Sequence, residues 1–269
     1  MDIAPRRTGY GRVKDLVGQA GRPYLFVEHT IEPGTTSPFR CHPDDHRSFI
    51  VVEGWVELEF PLHTGGLGSR RYGYLDGWHA LPGSVYRVSN PGGQPAVLLE
   101  AGSARGDARE MGETEASRGR PVPDGFRPVD RYTVTKPWGF EVWHTQNLSD
   151  PRYALKQIHM TAGFQSSLQS HRRKAETNYV VDGEATVLNG VAAPDDIDAI
   201  IDVARLPVSV HGPGSAWSSA PRVLHRVIAR SDYTSIEVST PELDDVIRWQ
   251  DDSGRAHGWI DSEHGTGRR

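Results

Sequence analysis

The sequence predicts an all-β chain built as two tandem β-barrels of the sandwich type, on three observations. Short runs rich in Val, Ile, Tyr, Phe and Trp recur between Pro-Gly, Asn-Pro-Gly and Glu-Gly turn signals, a spacing of sandwiches and barrels. The 269 residues are too many for one small barrel and suit two. The same order of strand, glycine, histidine and glycine also occurs in both halves, on either side of a stretch without β periodicity.

The elements follow in order. PYLFVEHTIEPG, from Pro23, is an alternating strand closed by a turn. Phe49–Val52 and Trp55–Phe60 flank the Glu53-Gly54 turn, and a Gly-rich loop runs from His63 to Gly73. Two more strands lie around Pro82-Gly83 and Asn90–Gly93, which completes a first domain over 1–102. Residues 103–128 are rich in charge, Gly and Pro and read as a linker, with a short helix around Asp107–Ala116. The second domain spans 129–269. Tyr132–Lys136 and Phe140–Thr145 flank Pro-Trp-Gly, and Tyr153–Met160 is a strand leading to the main motif. A β run over Ala185–Leu188 follows that motif. Asp195–Ala204 has the apolar spacing of a short helix behind Pro194, and strands return through Thr234–Ser239. Asp244–Gln250 is a closing helix or strand, and the tail after Trp259 reads as loose.

Composition narrows the function classes. Hydrophobic content of 36% and charged content of 24% fit a water-soluble globular protein. A net charge of −5 leaves no basic surplus for nucleic acid. No apolar run reaches membrane-spanning length, and the first residues lack the apolar core of a signal peptide. Cys41 stands alone, so no intrachain disulfide forms and a cytoplasmic home is expected.

The chemistry concentrates between Gly163 and Gly183. Alternation on a strand places Gln169, His171 and Arg173 on one face, and Glu176 enters from the next strand after a turn through Arg172–Ala175. Far downstream, APRVLHRV supplies His225 in another β run. Imidazole, carboxylate and amide donors converging inside a barrel are a mixed N/O ligand set. It excludes a thiolate site and leaves Zn, Fe(II), Mn, Ni or Co open. Guanidinium cannot ligate metal. Arg173 is therefore expected either to face inward and hold an anionic group beside the metal, or to be solvated with the rest of the Arg-Arg-Lys run. Arg172 and Lys174 read as surface residues, and Lys136, Lys156 and Arg226 as candidates for phosphate contact.

These residues resemble the cupin signature, and most closely the cupin domain of type II mannose-6-phosphate isomerases. The resemblance runs over residues 131–255: KPWG at Lys136–Gly139, LQSHRRKAETNYVVDG at Leu168–Gly183, HRV at His225–Val227 and DDVIRWQDDSGR at Asp244–Arg255. It implies two cupin (double-stranded β-helix, or jelly-roll) barrels and one divalent metal, held by Gln169, His171, Glu176 and His225 in the second barrel. It also implies a sugar or sugar-phosphate substrate, aldose–ketose isomerisation and a homodimer. Lys156, where the family also carries a lysine, would act as base or steady the enediolate, with Arg173 selecting an anionic substrate. In the first half the family's ligand positions fall on Arg40, His42, Arg47 and Tyr86, too few donors for a tight site. The expectation there is a metal-free barrel or a cavity that holds an anion without metal. Competing readings are an Fe(II)-dependent oxygenase of a small organic acid, which the same ligands suit, and a non-catalytic sugar- or phosphate-binding protein.

Overall fold

The computed structural model describes residues 4–18, 23–104, 108–118, 122, 124–149 and 151–264. The chain forms two compact units that meet in sequence at Val129 and Asp130. Each is a pair of antiparallel sheets packed face to face.

In the first unit one sheet has the order Arg6–Thr8, Gly11–Asp15, Tyr24–Ile31, Ala96–Ser103, Arg47–Glu53, Gly77–Ala80 and Phe126–Pro128. The other has the order Arg109–Met111, Phe39–Cys41, Val85–Asn90, Val56–Pro61 and Leu67–Tyr72. Alternation turns Phe49 and Val51 of the first sheet, and Val56, Leu58, Tyr86 and Val88 of the second, into one core. Trp78 stacks there on Phe49 and Tyr72, with ring centroids 4.8 and 4.6 Å apart. The stretch 103–128, expected as a linker, supplies an edge strand to each sheet: Arg109–Met111 pairs with Phe39–Cys41, and Phe126–Pro128 with Gly77–Ala80. Its charges and Pro128, which broke the β pattern, are tolerated at an edge because one side of such a strand makes no ladder. The helix of this stretch is Glu113–Arg118.

Packing fills the first barrel. Arg40 Nη2 donates to Tyr10 Oη at 2.6 Å, and His42 Nε2 lies 3.0 Å from Tyr86 Oη. Arg47 lies 3.4 Å from both Glu100 and Asp45. The space between Arg40 and Tyr86 is about 10 Å³, and the wider cleft of about 510 Å³ that Arg40 borders is lined by none of His42, Arg47 and Tyr86. The expected anion cavity is therefore closed by the side chains that were to line it.

The second unit carries a sheet of order Tyr132–Lys136, Gly139–Trp143, Ala154–Met160, Tyr233–Ser239, Glu176–Asp182 and Ala216–Ser219. Its partner has the order Val208–His211, Ala185–Ala192, Val223–Ala229, Leu168–Ser170 and Ile247–Gln250. Gly183 joins Glu176–Asp182 to the next strand at φ 74°, where a Cβ would collide with the Asp232 carbonyl. The helix expected over Asp195–Ala204 does not form; a single 3-10 turn, Val203–Arg205, stands in its place. Asp196 and Asp202 accept the backbone N–H groups of Asp198 and Ala204 at 3.1 and 3.2 Å, a local alternative to helical bonding. The closing segment is a strand, Ile247–Gln250. The tail expected to be loose instead packs as far as Glu263, which is buried; residues 265–269 lie outside the described residues.

Burial pushes the imidazoles of His42 and His144 down to about 4. Each is neutral in the fold and takes up a proton on unfolding between about pH 6.5 and 4, so the unfolded chain binds more protons there. Stability is therefore expected to fall as pH drops through that window, by up to about 3 kcal/mol per imidazole. Thermal melts at pH 7.5, 5.5 and 4.5 check this, and a flat melting temperature between pH 7.5 and 5.5 would contradict it.

Candidate metal centre

Period-two alternation selects the side chains that face the interior of the second unit. The six-stranded sheet contributes Glu141, Trp143, Lys156, Glu176 and Glu237, and the five-stranded sheet Gln169 and His225. Register fixes their neighbours: Gln169 lies opposite His225, and Lys156 opposite both Trp143 and Glu237. They enclose a cavity of about 90 Å³.

His171, Glu176 and His225 are fully buried, and one ligand atom from each falls within 4.8 Å of the others. Glu176 Oε1 lies 3.2 Å from His225 Nε2, and Oε2 lies 3.4 Å from His171 Nε2. Both imidazoles are tethered through their other nitrogen. His171 Nδ1 donates to the Asp245 carbonyl, and His225 Nδ1 lies 3.0 Å from Ser219 Oγ and 3.1 Å from the Val223 carbonyl. Such outer contacts fix the tautomer and leave Nε2 with its lone pair toward the cavity. His171 Nε2 is buried without a hydrogen-bond partner. Burial pushes His225 down to about 4, so it is neutral, the form that ligates metal.

A buried ammonium stands on the same carboxylate. Lys174 Nζ lies 2.6 Å from Glu176 Oε2 and 2.9 Å from Glu237 Oε1, and the residue is only 4% exposed. Burial opposes both charges, but their mutual attraction outweighs it, holding the Glu176 carboxyl well below and the Lys174 amine above their usual ranges.

No protein-family model matches the chain, and no curated protein matches it in sequence. Solved structures do match. Procruciferin, the 11S globulin of Brassica napus, is 12% identical with a TM-score of 0.65, over 93% of this chain and 84% of its own. A deletion mutant of Bacillus subtilis oxalate decarboxylase is 11% identical with a TM-score of 0.63, over 87% and 74%. The same enzyme at pH 4.6 gives 0.61 at 11% identity, over 87% and 73%. The fold is that of a bicupin.

In this fold the second barrel brings together Gln169, His171, Glu176 and His225. Gln169 presents its amide nitrogen, 3.2 Å from His225 Nε2, while its Oε1 accepts from Ser167 Oγ at 2.9 Å. As a ligand its amide would have to turn over, and Ser167, which can donate or accept, permits that. Lys156 reaches the cavity in two ion pairs, 3.5 Å from Glu141 and 3.8 Å from Glu237, with Nζ 4.7 Å from the centre of the Trp143 ring.

Arg173 is not at the site. The strand ends at Ser170, and residues 171–174 bend around the Asp245 carboxylate, which accepts the backbone N–H groups of Arg172, Arg173 and Lys174 at 3.0, 2.6 and 3.1 Å. The bend breaks the period-two phase, so Arg173 is exposed and Lys174, expected at the surface, takes the inward place. Arg173→Ala is accordingly expected to leave metal content unchanged and stability within about 0.5 kcal/mol, as thermal melts and elemental analysis would show. Arg226 points to the opposite face from His225 and donates to the Gln250 carbonyl. Lys136 does line the cavity.

Sequence reasoning missed Lys174, Asp245, Glu237, Glu141 and Glu263. Glu141 and Glu237 had a faint signal in their alternation with apolar neighbours on core strands, where a solitary carboxylate implies a buried partner.

Proposed function

We propose that the second barrel is a metal-dependent active site for a small anionic molecule. The observation that carries this reading is His171 Nε2, buried, without a partner and aimed at Glu176 while Nδ1 is tied to Asp245. An orphaned buried nitrogen needs an explanation, and a cation shared with Glu176 and His225 supplies one. Two imidazoles, a carboxylate and an available amide suit Zn, Mn, Fe(II), Ni or Co. One structural neighbour, the Bacillus subtilis oxalate decarboxylase, is described with Mn(II) centres, which makes Mn(II) the first ion to test.

A bound divalent ion would supply Lewis acidity to an oxygen of the substrate. The chain's own residues do the rest. Asp245 and Ser219 hold the two imidazoles in place, and the ammonium groups of Lys156 and Lys174 lie where they can steady an anionic group. Glu141 stays ionised: burial works against its charge, but Lys156 and then Lys136 outweigh that and hold it at about 2. It can accept a proton at neutral pH but has none to give.

Isomerisation of a sugar phosphate, with Lys156 moving the proton between neighbouring carbons, rests on the KPWG and LQSHRRKAETNYVVDG resemblance. The cavity favours something smaller. At about 90 Å³ it is well below the roughly 300 Å³ at which drug-sized ligand sites begin, so a small carboxylic acid fits and a hexose phosphate needs the cavity to open. Cytoplasmic residence and a homodimer remain part of this proposal; among the described residues no helix is long and apolar enough to cross a membrane. The test is to load the protein with Mn(II) or Zn and follow a panel of small carboxylic acids and sugar phosphates by NMR. Turnover that is lost with chelator and in His225→Ala supports the proposal. A loaded protein that neither binds nor converts any of them overturns it.

A further inference from the structure

An unbroken line of ion pairs, alternating in sign at every step, leads away from Glu176. Lys174 joins Glu176 to Glu237 at 2.6 and 2.9 Å, and Lys156 joins Glu237 to Glu141 at 3.8 and 3.5 Å. Lys136 joins Glu141 to Glu263 at 3.7 and 2.7 Å, and Arg255 joins Glu263 to Asp251 at 2.9 and 2.5 Å. Three of the carboxylates that line the cavity, Glu141, Glu176 and Glu237, stand on strands of the sheet. Glu263 does not. It comes from a single 3-10 turn, Asp261–Glu263, beyond the last strand, and belongs to no sheet.

The cations it meets are held independently of it. Lys136 sits on the strand Tyr132–Lys136, and Arg255 is fastened to Asp251 through Nε at 3.0 Å and Nη2 at 2.5 Å. Arg248, on the closing strand, lines the same cavity with a buried Nε that has no hydrogen-bond partner. Its Nη1 donates to the carbonyls of Ala256 and Gly258. Five cations (Lys136, Lys156, Lys174, Arg248, Arg255) stand against Glu141, Glu176, Glu237 and Glu263 in this cavity and against Asp251 behind Arg255, so a cation is left over only when Glu263 is withdrawn. A buried surplus of cations calls for an anion.

We propose that Lys136, Arg248 and Arg255 form an anion subsite that Glu263 fills from within the chain, and that the carboxylate or phosphate group of a ligand enters by displacing it. Glu263 thus stands in for the ligand's anionic group, and residues 258–264, which carry it, move when the ligand binds while Asp251 and Arg255 stay in place. A guanidinium and an ammonium converging on one carboxylate are the donors that recognise either group. The inference deepens the reading of this cavity as a site for a small anion, but needs no metal.

The test uses the full chain, treated with chelator, and two probes, inorganic phosphate and malonate. In the native protein, hydrogen exchange at residues 258–264 is expected to rise as either probe is added. In Glu263→Gln, calorimetry is expected to show at least ten-fold tighter binding of at least one probe, and adding Lys136→Met is expected to abolish that gain. Preference for phosphate or for malonate identifies the group the subsite takes. Because the chain is treated with chelator throughout, a protein that holds no metal can still pass. Exchange at 258–264 unchanged at saturating probe overturns the proposal, whether or not Glu263→Gln folds, as does a folded Glu263→Gln that binds neither probe more tightly.

Discussion

Lys174→Met is expected to leave the metal-free protein about 3–5 kcal/mol less stable, and added metal is expected to recover most of that loss. The Lys174 ammonium is the nearest cation to both Glu176 and Glu237, at 2.6 and 2.9 Å, and all three side chains are buried. Removing one member of such a group strands the others as buried charges, and it is this stranding that costs the 3–5 kcal/mol. Glu237 keeps Lys156 at 3.8 Å, so most of the damage falls on Glu176. A divalent ion held by Glu176, His171 and His225 replaces the missing positive charge and stabilises the folded state by mass action. Urea unfolding of the variant with and without Mn(II) measures both numbers. An equal loss under the two conditions would show that Lys174 and the metal do not share a carboxylate.

The second large effect is expected from Glu176→Gln, which removes the charge and keeps the shape. The residue is the one carboxylate in the triad and touches all its neighbours: His225 Nε2 at 3.2 Å, His171 Nε2 at 3.4 Å and Lys174 at 2.6 Å. Metal affinity is expected to fall by more than 100-fold, since changes to the outer contacts of metal ligands alone cost 10–100-fold. The amide also leaves Lys174 with Glu237 alone, so the metal-free protein is expected to lose a few kcal/mol. Equilibrium dialysis with Mn(II) reads the first effect and urea unfolding the second. A variant that binds Mn(II) as the native chain does would remove Glu176 from the ligand set.

The fold was legible because its signal is local and repeated. Turn residues at Pro33-Gly34, Glu53-Gly54, Pro82-Gly83 and Gly183, with alternation between them, announce strands whatever the tertiary arrangement. His171, Glu176 and His225 were legible from residue type and motif, an imidazole and a carboxylate between Gly163 and Gly183 and a second imidazole in the β run APRVLHRV. Phase across an irregular bend was not legible. Arg173 follows His171 by two residues, and only the Asp245 carboxylate, more than seventy residues away, turns the backbone so that Lys174 faces inward. The edge strands Arg109–Met111 and Phe126–Pro128 escaped notice because an edge need not be apolar. The acidic run at Asp195–Asp202 misled because apolar spacing suggests a helix even where Asp side chains bind the backbone themselves. Glu263 was invisible for a deeper reason: its meaning lies in Lys136 and Arg255, two parts of the chain that sequence spacing does not relate.

Elemental analysis of the purified protein, together with the His171→Ala, His225→Ala double variant, tests the central claim most directly. The account predicts about one equivalent of divalent metal per chain in the native protein and none in the double variant, because among the described residues the one cluster of three or more His, Cys, Asp or Glu side chains able to hold an ion is His171, Glu176 and His225. Two equivalents in the native chain, or one retained by the double variant, would contradict it.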